Sequence, residues 1–267
     1  NYSYTKDFVN LTLANNHFLN SLLIYFASLI SEDVIFIRLP NIIFGIFYLF
    51  LSYKISMTSK YSVTTFVLFC SSPVLIDFFV HARGYGISTA LNLLAIYLYF
   101  YLDKKELAFL ALMFSSLSFP ICLIVLFSFF PIYLMEKYKE NQLKISLIIV
   151  LIFSILSLPI ILWTIIVTQV NLPLYGLDEL NLKYLFTSFF GFLNLYKSTN
   201  VIVGSLLFII FILSIVKLFR NNTNNIWTVN LTILFLLFVI PFLLSKPYPT
   251  GRLLVPFWPL FLFQFST

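Results

Sequence analysis

Long apolar runs separated by short polar stretches dominate the chain, at 17–30, 34–55, 61–80, 85–102, 107–135, 145–167, 201–218, 227–244 and 253–265. The run 107–135 carries no charged residue and is well beyond the roughly 18 apolar residues that mark a candidate membrane span. The runs are too continuous for the alternation of a membrane β-barrel. A helix, by contrast, satisfies its own backbone hydrogen bonds in a solvent that offers none. The pattern therefore predicts an all-α polytopic transmembrane bundle, a single domain over 1–267. Two runs need separate treatment. At 1.5 Å per residue, 17–30 covers only about 20 Å, which predicts an interfacial or re-entrant helix inside an extracytoplasmic loop, 1–33. The charge-free run is interrupted by Pro120, which removes a backbone donor and disfavours helix in the residue before it. Divided there, and with a kink at Pro159, the runs predict about nine crossings.

Composition strengthens the membrane reading. Hydrophobic residues make up 61% of the chain and charged ones 10%, with a mean hydropathy of +1.00, whereas a soluble domain is about a quarter charged. The 33 phenylalanines suit lipid-facing and interhelical packing. A formal net charge of +6 comes without the basic stripe on polar surface that nucleic acid requires, so nucleic-acid binding is excluded. Cys70 and Cys122 sit inside apolar runs as small hydrophobes and offer neither metal-ligand spacing nor a disulfide framework. The polar opening 1–16 and the apolar end are read as signs of an N-terminally truncated chain, with an upstream helix expected before Asn1.

Charge then assigns sides. With Pro120 as a turn, one side holds Lys54, Lys60, Lys104, Lys105, Lys137, Lys139, Lys144, Lys217 and Arg220; the other holds Arg83, Lys183, Lys197, Lys246 and Arg252. Short basic loops mark the cytoplasmic side. Asp7, His17, His81, Arg83, Tyr85, Lys246, Arg252 and the polar stretch 171–200, with Asp178 and Glu179, then share the extracytoplasmic face. Ionisable groups at a membrane edge default to functional candidates. A lone Lys or Arg at a helix end also serves as an interfacial snorkeller, and Asp178 and Glu179 fit a solvated loop; for each of these the two readings stay open. A lipid-linked phosphate is the chemistry that basic and His side chains on this face would suit, Arg by bidentate donation and Lys by point charge.

Three ordered elements resemble the GT-C superfamily of polytopic glycosyltransferases, the protein mannosyltransferase-like and aminoarabinose transferase-like enzymes. The first is Asn15-Asn16-His17-Phe18-Leu19-Asn20 followed by Ile37-Arg38-Leu39-Pro40-Asn41. The second is Ser72-Pro73 with His81-Ala82-Arg83-Gly84-Tyr85. The third is Gly251-Arg252-Leu253-Leu254-Val255-Pro256. Each is short; their order, spacing and common side carry the resemblance.

The resemblance implies an inverting enzyme that moves a sugar from a polyprenyl-phosphate donor to an acceptor glycan, lipid or protein on the outer face of a bacterial inner membrane. A carboxylate base would activate the acceptor. Positive charge, or a divalent metal, would balance the leaving phosphate. His17 matches the loop residue near the donor phosphate and is implied to be catalytic, while Arg83 and Tyr85 match the mouth of the site and, with Lys246 and Arg252, are implied to contact the donor phosphate. Asn15, Asn16, Asn20, Arg38, His81, Asp178 and Glu179 fall in the vicinity, beneath an extracytoplasmic loop at 171–200. The chain departs from the pattern in reading His17-Phe18 rather than His-Pro. Asp7 is the one carboxylate upstream of His17, while the family's base is expected further upstream, beyond Asn1; Asp77 is an alternative. A transporter or lipid flippase, or a non-catalytic membrane subunit, accounts for the many spans without catalysis. No internal repeat with paired broken helices, the usual pointer to a transport site, is found.

Overall fold

The computed structural model describes residues 17–70, 73–81, 83–171 and 258–263. Every regular element among them is helical: α1 (Phe18–Ser28), α2 (Val34–Ser56), α3 (Ser62–Cys70), α4 (Pro73–Val80), α5 (Gly84–Phe100), α6 (Lys105–Ser118), a 3₁₀ turn (Pro120–Cys122), α7 (Leu123–Lys139), α8 (Leu143–Asn171) and α9 (Trp258–Phe263). Three helices are long and apolar enough to cross a membrane, at Val34–Ser56, Pro120–Lys139 and Leu143–Trp163. They mark the chain as a membrane protein. The expected crossings at 201–218 and 227–244, and with them the full count, lie outside the described residues.

Local sequence explains the breaks. The charge-free run divides where expected: Phe119 leaves the helix with φ −152° and ψ 106°, as a residue before proline prefers, and Pro120 opens the 3₁₀ turn. The run 61–80 is two helices rather than one, α4 opening on Pro73, a residue pre-set for the first helical position. Pro40, Pro131 and Pro159 are accommodated inside α2, α7 and α8. After α7, Asn141 adopts φ 58°, a left-handed conformation that Asn tolerates. The amides of Asn141 and Gln142 there donate back to Tyr138 O and Lys137 O at 3.1 and 2.9 Å, closing the helix end.

α5 and α6 form the centre. Small residues are frequent on both helices (Gly86, Ser88, Ala90 and Ala95; Ala108, Ala111 and Ser115) and all seven are buried; Ser88 and Ser115 meet between them, and small residues at such a contact let two backbones approach closely. The Ser115 hydroxyl lies 3.1 Å from Ser88 O and 2.8 Å from Asn92 Oδ1, and Asn92 donates to Cys122 Sγ at 3.6 Å. Ser88 is near the start of α5 and Ser115 near the end of α6, so the two helices run antiparallel. Tyr133 on α7 donates to Glu106 on α6 at 3.0 Å, which makes α6 and α7 a second antiparallel pair. Phe109 stands edge-on to Phe130, Tyr133 and Phe153, joining α6, α7 and α8. Phe79 of α4 sits where a Cβ on Gly45 or Gly86 would come within 3.0 or 2.9 Å, wedging α4 against α2 and α5. Both cysteines are free thiols, Cys122 buried and Cys70 partly so.

The helices share one level at one end and not at the other. Thr58 donates to Tyr101 Oη at 3.1 Å, Tyr99 to Glu136 Oε2 at 3.0 Å, and Lys137 is bonded to Gln142. The ends of α2, α5, α6, α7 and α8 therefore meet around this cluster. From it α5 and α7, of 17 residues each, rise about 25 Å, and α6, of 14 residues, about 21 Å. α2, with 23 residues, and α8, with 29, extend about 35 and 43 Å. The central helices are shorter than a hydrocarbon core of about 30 Å, while α2 and α8 exceed it. The far ends of α5 and α6 thus lie below the tops of their neighbours.

Candidate functional site

That lower level is where the residues of the first two sequence elements converge. His17, which precedes α1, is 9% exposed. Its Nδ1–H donates to the carbonyl of Ser118 at the end of α6, 2.9 Å away, and this bond sets the tautomer. Tyr85, in the first turn of α5, meets the imidazole edge-on with centroids 4.8 Å apart. Phe119 completes an aromatic triangle, 5.7 Å from His17 and 4.8 Å from Tyr85. Phe78 of α4 packs on the other side of Tyr85 at 4.7 Å.

Gly84 is the residue that makes this possible. A Cβ there would stand 2.6 Å from His17 Cβ and Cγ and 2.6 Å from the Ser118 carbonyl oxygen. Only a residue without a side chain lets the α4–α5 turn rest directly on the histidine. α1 then climbs away from His17 beside α2, and Asn41 Nδ2 donates to Asn20 Oδ1 at 2.7 Å. Both amides are buried. Asn41 Oδ1 and Ser118 Oγ are buried and, among the described residues, have no hydrogen-bond partner, two polar atoms that disfavour a dry, apolar packing of this level.

On the rim, His81 and Arg83 are exposed while Gly84 and Tyr85 are buried. His81 Nδ1 lies 3.1 Å from Asp77 Oδ1 and 2.9 Å from the Asp77 carbonyl. Arg83, extended at φ −115°, precedes α5. Arg38 is half-buried on α2. The short helix expected at 17–30 is α1, packed against α2, α5 and α6 as the first arm of a hairpin with α2. Its outer residues Phe26, Leu29 and Ile30, with Val34 and Ile35 of α2, are exposed apolar surface, as lipid contact requires.

Of the residues expected to act, His17 and Tyr85 are brought together, Arg83 adjoins them through Gly84, Asn20 lies one turn along α1 from His17 and bonds to Asn41, and His81 pairs with Asp77. Tyr85 supports the histidine ring and is 3% exposed, so it packs the floor rather than lining the mouth as the resemblance implies. Arg38 joins no contact among the described residues with His17 or Arg83. Asp7, Asn15, Asn16, Asp178, Glu179, Lys246 and Arg252 lie outside the described residues. Ser118, Phe119, Gly84 and Asn41 were not singled out as site residues. Ser118 and Phe119 carried no chemical signal in an apolar run. Gly84 had one, since a glycine immediately after Arg83 and before an aromatic marks a close approach.

The opposite end is also charged but differently built. Lys105 Nζ pairs with Glu136 Oε2 at 2.9 Å and Asp103 Oδ1 at 3.2 Å, and Lys137 with Glu140 at 2.7 Å. That hydrogen bond holds the Glu140 carboxyl below its usual range. No group of three or more His, Cys, Asp or Glu side chains among the described residues is placed to hold a metal ion. Comparison with protein-family models, curated proteins and solved structures gives no match.

Proposed function

We propose that this chain is a GT-C-like membrane glycosyltransferase that moves a sugar from a polyprenyl-phosphate donor to an acceptor on the extracytoplasmic face of a bacterial inner membrane. The observation that carries the reading is the meeting of His17 with the Arg83-Gly84-Tyr85 segment. Two elements almost seventy positions apart in sequence, chosen for their resemblance to one family, form one contact at one end of the bundle. Supporting it is the step in helix length: with α2 and α8 spanning the bilayer, Arg83 and His81, at the far end of the shorter α5, would lie near a lipid headgroup. There Arg83 would hold the donor phosphate through paired N–H donors, in surroundings where the low dielectric strengthens the contact. His17, tied to Ser118, would shape the floor. The remaining crossings would bring the total to about nine, with the Glu136 end cytoplasmic by its lysines.

The test is transfer from radiolabelled polyprenyl-phosphoryl sugars by the full-length protein in proteoliposomes. Absence of transfer across a broad acceptor panel, together with unchanged lipid-phosphate binding in Arg83→Ala and Arg252→Ala, would sink the proposal. Orientation is checked separately with a membrane-impermeant thiol reagent on intact cells. His81→Cys should label from outside and Lys139→Cys only after permeabilisation.

A further inference from the structure

The end of the bundle away from His17 gathers seven lysines and four carboxylates, from the α2–α3, α5–α6 and α7–α8 turns and the helix ends beside them. Every carboxylate there is answered. Asp103 and Glu136 pair with Lys105, Glu140 pairs with Lys137, and Glu106 accepts a hydrogen bond from Tyr133. Lys54, Lys60, Lys104, Lys139 and Lys144 remain. All five are exposed, and none joins an ion pair among the described residues. Two of them stand where a cation works against its own helix: Lys104 immediately precedes α6, and Lys144 lies in the first turn of α8. Helix stability does not account for them. An anion at this level would be favoured both by the ammonium groups and by the two helix N-termini.

We propose that this end is a binding surface for anionic phospholipid headgroups. The proposal depends on the chain being a membrane protein and not on the glycosyltransferase reading. Exposed apolar faces run from the lysines along the two longest helices. On α2, Ile46, Phe50 and Tyr53 lead to Lys54, whose ammonium lies 5.6 Å from the centre of the Phe50 ring. On α8, Ile152, Ile148 and Ile145 recur at helical spacing and lead to Lys144. Each face thus offers apolar surface to acyl chains and, at its end, a cation to the phosphate, which is the division a phospholipid itself has. Tyr53, Tyr61 and Tyr138 are exposed among the lysines, and tyrosine settles at headgroup level. Lys60 reaches over the Tyr61 ring, 5.5 Å from its centre. A soluble acidic partner would match the charge but has no use for the apolar faces beside it. Because an ammonium is a strongly hydrated point charge, the surface selects lipids by charge and loses its hold as salt screens it.

The experiment reconstitutes the full chain in phosphatidylcholine liposomes. It compares the association of spin-labelled phosphatidylglycerol with that of spin-labelled phosphatidylcholine. At low ionic strength the wild type should prefer phosphatidylglycerol about fivefold. In about 1 M salt, where the screening length is about 3 Å, the preference should fall to near parity. Lys54→Gln/Lys60→Gln/Lys104→Gln/Lys139→Gln/Lys144→Gln should abolish it while the melting temperature in detergent stays that of wild type. The same five positions changed to Arg should retain it, which separates loss of charge from loss of fold. Inorganic phosphate added at constant ionic strength should leave the preference intact. A wild type with no preference overturns the proposal and leaves the lysines to a soluble acidic partner. A preference that persists in the folded Gln variant overturns it too, because other groups would then hold the lipid. Displacement by free phosphate overturns it as well, since the surface would then recognise the phosphate group and not the lipid.

Discussion

The two ends of the bundle carry charge for different reasons. At the Glu136 end the buried charges answer one another. Lys105, with 12% of its side chain exposed, and Glu136, with 20%, form an ion pair, and Tyr99 and Tyr133 donate to Glu136 and Glu106. These contacts stitch α5, α6 and α7 together where they are level. At the His17 end the buried polar groups are neutral and the charged ones are left outside. Arg83 faces solvent without an ion pair, and of the three buried oxygens that lack a partner among the described residues, on Asn41, Ser52 and Ser118, Asn41 and Ser118 lie toward this end. A set of charges that satisfies itself is architecture. Charge and hydrogen-bonding capacity left unspent at a short, stepped end is what a ligand site needs.

The comparison can be broken most forcefully at Gly84. Gly84→Val would drive a branched side chain into His17 and the Ser118 carbonyl, and the expected cost is about 3 kcal/mol. It would be read as a lowered melting temperature in detergent with loss of any transfer. A variant that melts as wild type would show that the turn does not rest on the histidine. Next comes Glu136→Ala, which leaves Lys105 paired with the exposed Asp103 carboxylate alone among the described residues and the Tyr99 hydroxyl without its acceptor. A loss of about 2 kcal/mol is expected in the same melt, largely recovered in Lys105→Met/Glu136→Leu. Recovery in the double variant is the decisive result, because a functional pair would lose transfer even when stability returned.

His17→Phe keeps the ring and deletes the bond to Ser118. It should cost about 1 kcal/mol and, on the proposed function, reduce transfer well beyond what that instability explains. Activity that merely tracks the folded fraction would assign His17 to packing alone. The smallest structural effect belongs to Arg83→Gln, within about 0.5 kcal/mol of wild type. Its predicted signature is a roughly tenfold weaker apparent affinity for the lipid-phosphate donor. Equal affinity would move the phosphate contact elsewhere.

Much of the helical organisation was legible beforehand because its causes are local. The break at Phe119 follows from the proline after it. The short helix near 17–30 was legible from length alone. The division of the run 61–80 into α3 and α4 does not show in its hydropathy, because the residues on both sides of Ser72-Pro73 are equally apolar; the proline alone signals a helix start. Within the site, His17, Arg83 and Tyr85 announced themselves as polar or aromatic residues at the edge of apolar runs. Ser118 contributes only a backbone carbonyl and Phe119 only a ring, and no residue type advertises either. Nor did the pattern show that Tyr85 would be covered, because alternation along one helix does not reveal what the next helix places upon it.

Composition and periodicity by themselves determined that this chain belongs in a membrane as helices. With so few charged residues and runs this long, only hydrocarbon can solvate it, and only helices can span hydrocarbon with their backbones satisfied. What the tertiary structure decided is which distant residues meet. Small residues drew α5 and α6 together, an absent side chain at Gly84 let the turn settle on His17, and unequal helix lengths left His81 and Arg83 on a recessed rim. Those are properties of packing distances between segments far apart in sequence, which no single segment encodes.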